Sequence, residues 1–581
     1  MLRPLKVPLK RYCYSSRFQK DLMSGLTVGV ISLPLAMAFA IASGVKPEYG
    51  IYTTIIASVL ASLFGGSRYQ VTGPTGAFIP ILLSIVLTYG YENLLIAGLM
   101  AGIILVVMGL LKMGTLIKFI PRPVTIGFTA GIAVNIFTGQ IANFLGLVGL
   151  ARHEGFIDSM REILLHLDTV NLYSILTAAL CLAIILVTPR FFPRVPGSLV
   201  GLLASTALAA LAYPGQVTTI STAFGGIPDS LPQFSLPVIT LEKLQQLARP
   251  AFTIAMLGAI ESLLSAVVAD GMTGTRHNSN RELIGQGIAN IVTPLFGGIP
   301  ATGAIARTAT NIKSGAVTRY SVVLSALFVL ATLIVLAPYA GAIPLASMAP
   351  VLMIVAYNMS EHHAFIAILK TRSNSAGVLV VTFLLTVLAN LTVAVEVGLL
   401  LAMVIFVKRM SDILVVTKVL PDPENHLARV GAQDRLDSHD CSQISIFSIE
   451  GPLFFGAAQM FSQSIIDTIQ YNPKVVILRL SKVPFMDLTG EDHLRTIVNS
   501  LQKRGVMVLI SGLNEQPEKT LHMTGLYETI GRNHFFPHTE HAISYALKHT
   551  DTEGCLRCRD RIFHRCIAER EAAAATEGIP A

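Results

Sequence analysis

Residues 64–77 read FGGSRYQVTGPTGA, and residues 296–304 read FGGIPATGA. Both stretches begin with Phe-Gly-Gly, reach a Thr-Gly pair a few residues later, and precede an unusually short apolar segment. Two such segments at corresponding places, about 230 residues apart, indicate an inverted repeat in a membrane protein. A helix that begins in mid-membrane presents free amides and the positive end of its dipole, so two facing helix ends can bind an anion. The alternative is that the glycines serve only close helix packing.

The composition agrees with a chain that crosses a membrane many times. Of the 581 residues, 52% are hydrophobic and 13% are charged, and the mean hydropathy is +0.62. Soluble proteins carry about a quarter charged residues. Apolar runs of roughly the 20 residues that span a bilayer recur between Met23 and Val407. The basic residues lie between these runs and not on one face, which argues against a nucleic-acid partner.

Fourteen apolar segments are predicted to cross the lipid bilayer. The loops after even-numbered segments carry more Lys and Arg than the loops after odd-numbered segments, and this bias does not reverse along the chain. Because Lys and Arg are enriched in cytoplasmic loops, both termini are predicted to be cytoplasmic. The predicted spans are 23–43, 49–64, 74–89, 93–111, 124–147, 172–188, 197–213, 250–269, 283–296, 303–313, 319–338, 345–368, 375–389 and 391–407.

A pattern typical of soluble α/β proteins follows the last span. Short β-branched runs at 444–449 and 475–480 alternate with helix-like stretches such as 491–504, which predicts a small α/β domain. The predicted divisions are a cytoplasmic N-terminal segment at 1–20, a transmembrane transport domain at 21–410, a linker at 411–442, the α/β domain at 443–550 and a C-terminal tail at 551–581.

Two charged residues lie within or beside apolar spans. Glu261 is in the middle of the eighth span, where an ionised carboxylate is costly, so its neutral form is favoured and it can carry a coupling proton. The alternative is a structural Glu bonded to a neighbouring helix. Arg307 follows the second short-helix start, where a guanidinium can bind an oxyanion through two nitrogens. The alternative is a cytoplasmic-side residue of a short span.

The sequence carries no convincing catalytic constellation. No Gly-Lys dipeptide occurs, so there is no Walker A loop, and we expect neither enzymatic activity nor a cofactor beyond the coupling ion. Four residues near the C-terminus have side chains that suit zinc, although their spacing is tighter than in common zinc fingers. Free thiols are the alternative for these residues, which are Cys555, Cys558, His564 and Cys566.

Several motifs resemble those of the sulfate-permease (SulP) family of anion transporters. The first span carries GLTVGV at 25–30, the third span begins after the motif at 64–74, and the eighth span carries GAIESLL at 258–264, followed by DGMTGTRH at 270–277. The α/β domain resembles the STAS domain of the same family. Within the family, the eighth-span motif and residues 304–307 are similar to those of bacterial four-carbon dicarboxylate transporters.

The resemblance implies an all-α polytopic membrane domain joined to a cytoplasmic α/β STAS domain. The fourteen spans would form two inverted seven-span repeats, with spans 1–4 and 8–11 in a core domain and the others in a gate domain. The anion site would lie between the starts of spans three and ten. The implied substrate-binding residues are Phe39, Thr75, Gly76, Ser265, Ala304, Ile305, Ala306 and Arg307, with Glu261 as the proton-coupling residue.

The implied activity is secondary active, proton-coupled uptake of C4-dicarboxylates by a homodimer in the bacterial inner membrane, with the core moving against the gate as an elevator. Sodium-coupled members of the family carry Asp at the position of Glu261, so the longer acid favours a proton over sodium. Sulfate or bicarbonate are alternative substrates. An anion channel, or an anion-sensing scaffold whose STAS domain signals to a cytoplasmic protein partner, is the alternative of another class. In the STAS domain, Thr489 stands in a turn where related domains carry a phosphoserine.

Overall fold

The computed structural model describes residues 16–115, 121–151, 153, 155–192, 195–226, 231–389, 391–420, 428–429, 441, 443–455 and 473–551. The chain divides into two compact units, residues 1–402 and 403–581. The first unit is helical except for two very short strands, and the second contains a mixed sheet flanked by helices.

Each of the fourteen predicted spans overlaps with helical residues of the first unit. Among the described residues, six helices are long and apolar enough to cross a membrane, and four shorter helices are also apolar. The helices are α1 (Ser16–Ala42), α2 (Pro47–Phe64), α3 (Ile79–Tyr89), α4 (Tyr91–Leu110), α5 (Arg122–Gly139), α6 (Ile141–Leu145), α7 (Phe156–Leu165), α8 (Leu172–Phe191), α9 (Gly197–Ala212), α10 (Ile220–Phe224), α11 (Leu241–Thr273), α12 (Ser279–Val292), α13 (Ile305–Lys313), α14 (Tyr320–Ala340), α15 (Leu345–Met359), α16 (His362–Lys370), α17 (Asn374–Leu388) and α18 (Leu391–Ser411).

Local sequence explains where several of these helices begin and end. Pro47 opens α2, where its missing amide costs nothing. The side chain of Asn171 accepts hydrogen bonds from two amides in the first turn of α8, and Thr240 caps α11 in the same way. Helix α11 ends at Gly274, whose φ of 67° is left-handed and therefore favours glycine.

The helices pack into two groups. The core group consists of α1–α4 and α11–α14, in which α12 packs on α4 and α2, and α14 packs on α1. In the gate group, α17 packs on α5, and α15 packs on α8 and α5. Helix α18 joins the gate group, because Gly398 lies against Thr382 of α17 and Val124 of α5. This grouping agrees with the core and gate domains that the family resemblance implies.

The close approach of α1 and α2 within the core group depends on Gly50. A Cβ atom at Gly50 would lie 2.0 Å from the carbonyl oxygen of Ala36, which is backbone and cannot rotate away. We expect Gly50→Ala to destabilise the membrane unit by about 1–3 kcal/mol, as overpacking does, and to lower its melting temperature in detergent. The control is Gly377→Ala, because nothing lies within 4 Å of a Cβ at Gly377. Equal melting temperatures for both variants would contradict the prediction.

The second unit contains a six-stranded sheet, whose strands in spatial order are β4 (Ala428–Arg429), β3 (Val415–Leu420), β5 (Ile444–Glu450), β6 (Val475–Lys482), β7 (Met507–Ser511) and β8 (Phe535–Phe536). Strand β3 pairs antiparallel with β5, and β5, β6, β7 and β8 run parallel to one another. Strands β5 and β6 are apolar and almost entirely buried, as expected for parallel strands covered on both faces. The helices of this unit are α19 (Leu488–Lys503), α20 (Glu515–Thr524), α21 (Leu526–Ile530) and α22 (Thr539–Leu547).

The predicted linker at 411–442 was wrong over its first part. Val415–Leu420 forms β3 and pairs with β5 from Val415 opposite Glu450 to Val419 opposite Ile446. The β-branched run VVTKVL was a strand signal. Two features hid this signal. The run is surrounded by polar residues, and its pairing partner β5 lies beyond the rest of the predicted linker.

Candidate functional site

Two short strands bring the repeated motifs together in the core group. Strand β1 (Thr72–Gly73) pairs antiparallel with β2 (Thr302–Gly303), so that Thr72 lies opposite Gly303 and Gly73 lies opposite Thr302. The amide of Ala304 donates to the carbonyl oxygen of Val71 at 2.8 Å. The two non-helical segments that precede the helix starts, residues 71–75 and 302–304, are called the breaks below. They are joined by main-chain hydrogen bonds, although they are far apart in sequence.

A helical segment, called a half-helix below, begins shortly after each of these strands. The 3-10 turn Gly76–Phe78 leads into α3, and α13 begins at Ile305. Neither start has a side chain that caps it: Thr75 and Ala304 occupy the capping positions without making a side-chain cap hydrogen bond. Uncapped helix starts leave amides and a positive dipole end available to an anion.

Glu261 of α11 lies beside the first of these starts. The hydroxyl of Thr75 donates to Oε2 of Glu261 at 3.1 Å. Thr75 is buried and Glu261 is partly buried. The structure thus places a titratable group next to Thr75, which occupies the N-cap position of the uncapped first half-helix.

Arg307 of α13 connects the two breaks from the other side. Its side chain is 3% exposed, and Nη2 donates to the carbonyl oxygen of Pro74 at 2.5 Å. The guanidinium lies over Gly73, since a Cβ there would be 2.9 Å from Nη1. Nη1 is buried without a hydrogen-bond partner among the described residues. Arg307 therefore contributes a buried positive charge and an unpartnered Nη1 group at the motif, while its Nη2 group bonds the backbone.

Ser265 lies close to the two breaks, and its hydroxyl takes part in the hydrogen bonds that connect them. Its hydroxyl donates to Oγ1 of Thr308 at 3.1 Å, and the same oxygen accepts from the amide of Val71 at 3.0 Å. Ser265 and Thr308 are fully buried. This geometry gives Ser265 a supporting position and does not present its hydroxyl to a ligand.

The remaining predicted residues surround the two helix starts unequally. Phe39 is buried, and its ring would be 3.6 Å from a Cβ at Gly76, with Ile136 and Met359 also close. On the second half-helix, Ala304 is partly exposed and Ile305 and Ala306 are exposed. The start of α13 is therefore the more open of the two ends, and the start of the first half-helix is covered by apolar side chains.

Sequence reasoning missed two polar residues that shape the site. Ser262 accepts a hydrogen bond from the amide of Gly303 at 3.0 Å and lies 2.8 Å from the hydroxyl of Thr302. Gln70 is 4% exposed, its amide covers Gly303, and neither Oε1 nor Nε2 has a partner among the described residues. Ser262 follows Glu261 directly, and Gln70 lies inside the first motif, so position in the motif was an available signal.

Two other expectations concern the rest of the chain. The candidate zinc ligands Cys555, Cys558, His564 and Cys566 lie outside the described residues. Within the part that is described, no group of three or more His, Cys, Asp or Glu side chains could hold a metal ion. Thr489 is exposed in the first turn of α19, where Asp487 caps the helix by accepting from the amide of Gly490.

Comparison with known proteins assigns the chain to a family. The model of the Sulfate permease family matches residues 18–382, which is more than half of the chain. The chain belongs to the sulfate permease family. The STAS domain model matches residues 437–542 of this family member. It is thus an anion transporter and not an enzyme, as the motifs predicted.

Three comparisons with individual proteins show how far the similarity of this chain extends. "Putative sulfate transporter YvdB" of Bacillus subtilis is 51% identical over 522 residues, which cover 90% of this chain and 96% of that protein. The transmembrane domain of a cyanobacterial bicarbonate transporter, BicA, has a TM-score of 0.59 at 30% identity, covering 67% of this chain and 98% of that chain. The structure of SLC26A9 has a TM-score of 0.84 at 19% identity, covering 94% of this chain and 92% of that chain, which shows a common fold.

Proposed function

We propose that this chain takes up a small anion together with a proton, with Glu261 as the proton carrier. The observation that supports this most directly is the hydrogen bond from Thr75 to Glu261. It joins a carboxyl group to the residue at the uncapped start of the first half-helix. An anion bound between the two helix starts would lie near this carboxyl group. Protonation of Glu261 would then remove a negative charge that opposes anion binding.

The division of the helices supports an elevator-type movement. Both half-helices, Glu261 on α11 and Arg307 on α13 belong to the core group. The contacts between the core group and the gate group, such as those of α1 with α15 and of α3 with α5, are less extensive than the packing within each group. A core that carries the complete site can move against the gate without breaking the site. Because the anion and the proton would travel on the same body, their transport would be coupled.

Three candidate substrates are proposed on different grounds. Sulfate follows from the description of the 51% identical relative. C4-dicarboxylates such as succinate follow from the resemblance of the eighth-span motif and of residues 304–307. Bicarbonate, named for BicA, is the third candidate. The buried charge of Arg307 and two positive helix ends suit each of these anions.

The function is tested in liposomes that contain the purified full chain. We expect labelled sulfate to accumulate when an inward proton gradient is imposed, and a protonophore to abolish the accumulation. Competition by unlabelled succinate, fumarate and bicarbonate then ranks the substrates. The dicarboxylate proposal is correct if labelled succinate accumulates under the proton gradient, while sulfate is not taken up and does not compete with succinate. Anion currents at channel rates that do not depend on the proton gradient would refute coupled transport.

We further propose that the protein acts as a homodimer in the bacterial inner membrane, with both termini in the cytoplasm. The topology follows from the distribution of Lys and Arg between the loops. The dimer follows from the family resemblance. Cross-linking of the protein in native membranes tests the dimer, and labelling of single cysteines from outside tests the topology.

A further inference from the structure

A cavity of about 530 Å³ lies between the core group and the gate group. One of its walls is a face of α3 from Pro80 to Tyr89, and another is the segment of α11 around Arg249. The opposite wall comes from the gate group and includes Asn135 of α5 and Thr386 of α17. The cavity is therefore bounded by both bodies that the elevator mechanism would move.

The inner end of the cavity comes close to the candidate site. Pro80 is four residues beyond Gly76, which corresponds to about 6 Å along a helix. The side chain of Ile136, next to Asn135 in the gate group, packs at Gly76, because a Cβ there would lie 3.3 Å from Cδ1 of Ile136. A movement of the core group away from Ile136 would connect the cavity to the start of the first half-helix.

Arg249 is the one charged residue among the described residues that line this cavity. Its side chain is 66% exposed, and Nη2 lies 2.9 Å from Oε2 of Glu396, which is 46% exposed. Arg249 belongs to α11 of the core group and Glu396 to α18 of the gate group. The ion pair thus crosses the boundary between the two bodies. Because exposed ion pairs are weak, Arg249 can exchange its partner readily.

The cavity also has a defined side. Glu396 is near the beginning of α18, the end opposite to the one that continues into residues 403–581. The distribution of Lys and Arg predicts that this is the outer face of the membrane. An anion that arrives from outside would meet Arg249 before it reaches the half-helix starts.

We propose that Arg249 captures the incoming anion at the outer cavity and that Glu396 competes with the anion for the guanidinium. This inference rests on the proposed transport function and adds a second anion-contacting residue outside the mid-membrane site. While Arg249 pairs with Glu396, the cavity carries little net positive charge. When an anion displaces Glu396, the tie between core and gate is released at the same moment.

The test measures uptake of labelled sulfate into intact cells that express the full chain and lack their own sulfate transporter, and it is repeated with labelled succinate if sulfate is not taken up. Arg249→Gln is expected to raise KM by up to about fivefold, the upper end of the range of an exposed charge interaction, with little change in the maximal rate. Glu396→Gln is expected to lower KM, because it frees Arg249. The control is Lys243→Gln on the same helix, since the Lys243 ammonium bonds the carbonyl oxygen of Val238 and does not line the cavity.

The two single variants distinguish anion binding by Arg249 from an ion pair that only holds the core group against the gate group. Loss of a tie between core and gate would move KM in the same direction in Arg249→Gln and Glu396→Gln, whereas capture moves KM in opposite directions. Changes in the same direction, or an Arg249→Gln variant that behaves like the Lys243→Gln control, would overturn the inference. Uptake by the unmodified chain would then still support the proposed function, and its absence would refute that function independently of Arg249.

Discussion

Replacement of Glu261 by Gln is expected to reduce uptake driven by a proton gradient to the level of empty liposomes. Gln has nearly the same shape as a protonated Glu, and its side-chain carbonyl can still accept the hydrogen bond from Thr75. The variant therefore resembles the proton-loaded state permanently. It can bind the anion, but it cannot release or take up a proton during the transport cycle.

This property separates coupling from binding in one variant. We expect Glu261→Gln to retain exchange of labelled for unlabelled anion across the membrane, because exchange needs no net proton movement. The matched control is Glu242→Gln, at the exposed beginning of the same helix, which should accumulate anion normally. Accumulation by Glu261→Gln at the rate of the unmodified chain would exclude Glu261 as the proton carrier.

The positions of the spans could be read from the sequence because they depend on local apolar runs. Each predicted segment overlaps with helical residues, including the short segment 303–313, which corresponds to α13. Gly and Pro residues mark most of the breaks, and their effect on a helix is local. The missed strand β3 shows the limit of this approach, because its partner β5 begins more than twenty residues later.

The candidate site could be located but not built from the sequence. The repeated motifs indicated that two helix starts meet, and Glu261 was noticeable as an acid inside an apolar run. The sequence could not show that the hydroxyl of Ser265 donates a hydrogen bond to Thr308, or that the guanidinium of Arg307 donates one to the carbonyl oxygen of Pro74. Both contacts join segments that are far apart in the chain, and no local pattern determines them. The ion pair of Arg249 with Glu396 is a third contact of this kind.

Replacement of Arg307 by Gln is expected to reduce anion uptake by about tenfold to 150-fold. The range corresponds to the loss of one charge-assisted hydrogen bond, which the unpartnered Nη1 of Arg307 would donate to the anion, an interaction worth about 1.5–3 kcal/mol. The variant also removes a guanidinium that keeps its charge in proteins and that is 3% exposed. Among the described residues, this guanidinium has no carboxylate within ion-pair distance.

An unpaired buried cation is costly, so an anion that binds near Arg307 should stabilise the folded protein. We therefore expect the transported anion to raise the melting temperature of the unmodified chain in detergent, and to raise that of Arg307→Gln much less. Arg307→Lys should keep part of this thermal shift, because it keeps the charge but loses the planar group over Gly73. Lys313→Gln, at an exposed position of the same helix, is the control and should match the unmodified chain in both measurements. If Arg307→Gln shows the full thermal shift with the anion, then Arg307 serves only to join the two breaks, and the positive charge of the site comes from the helix starts alone.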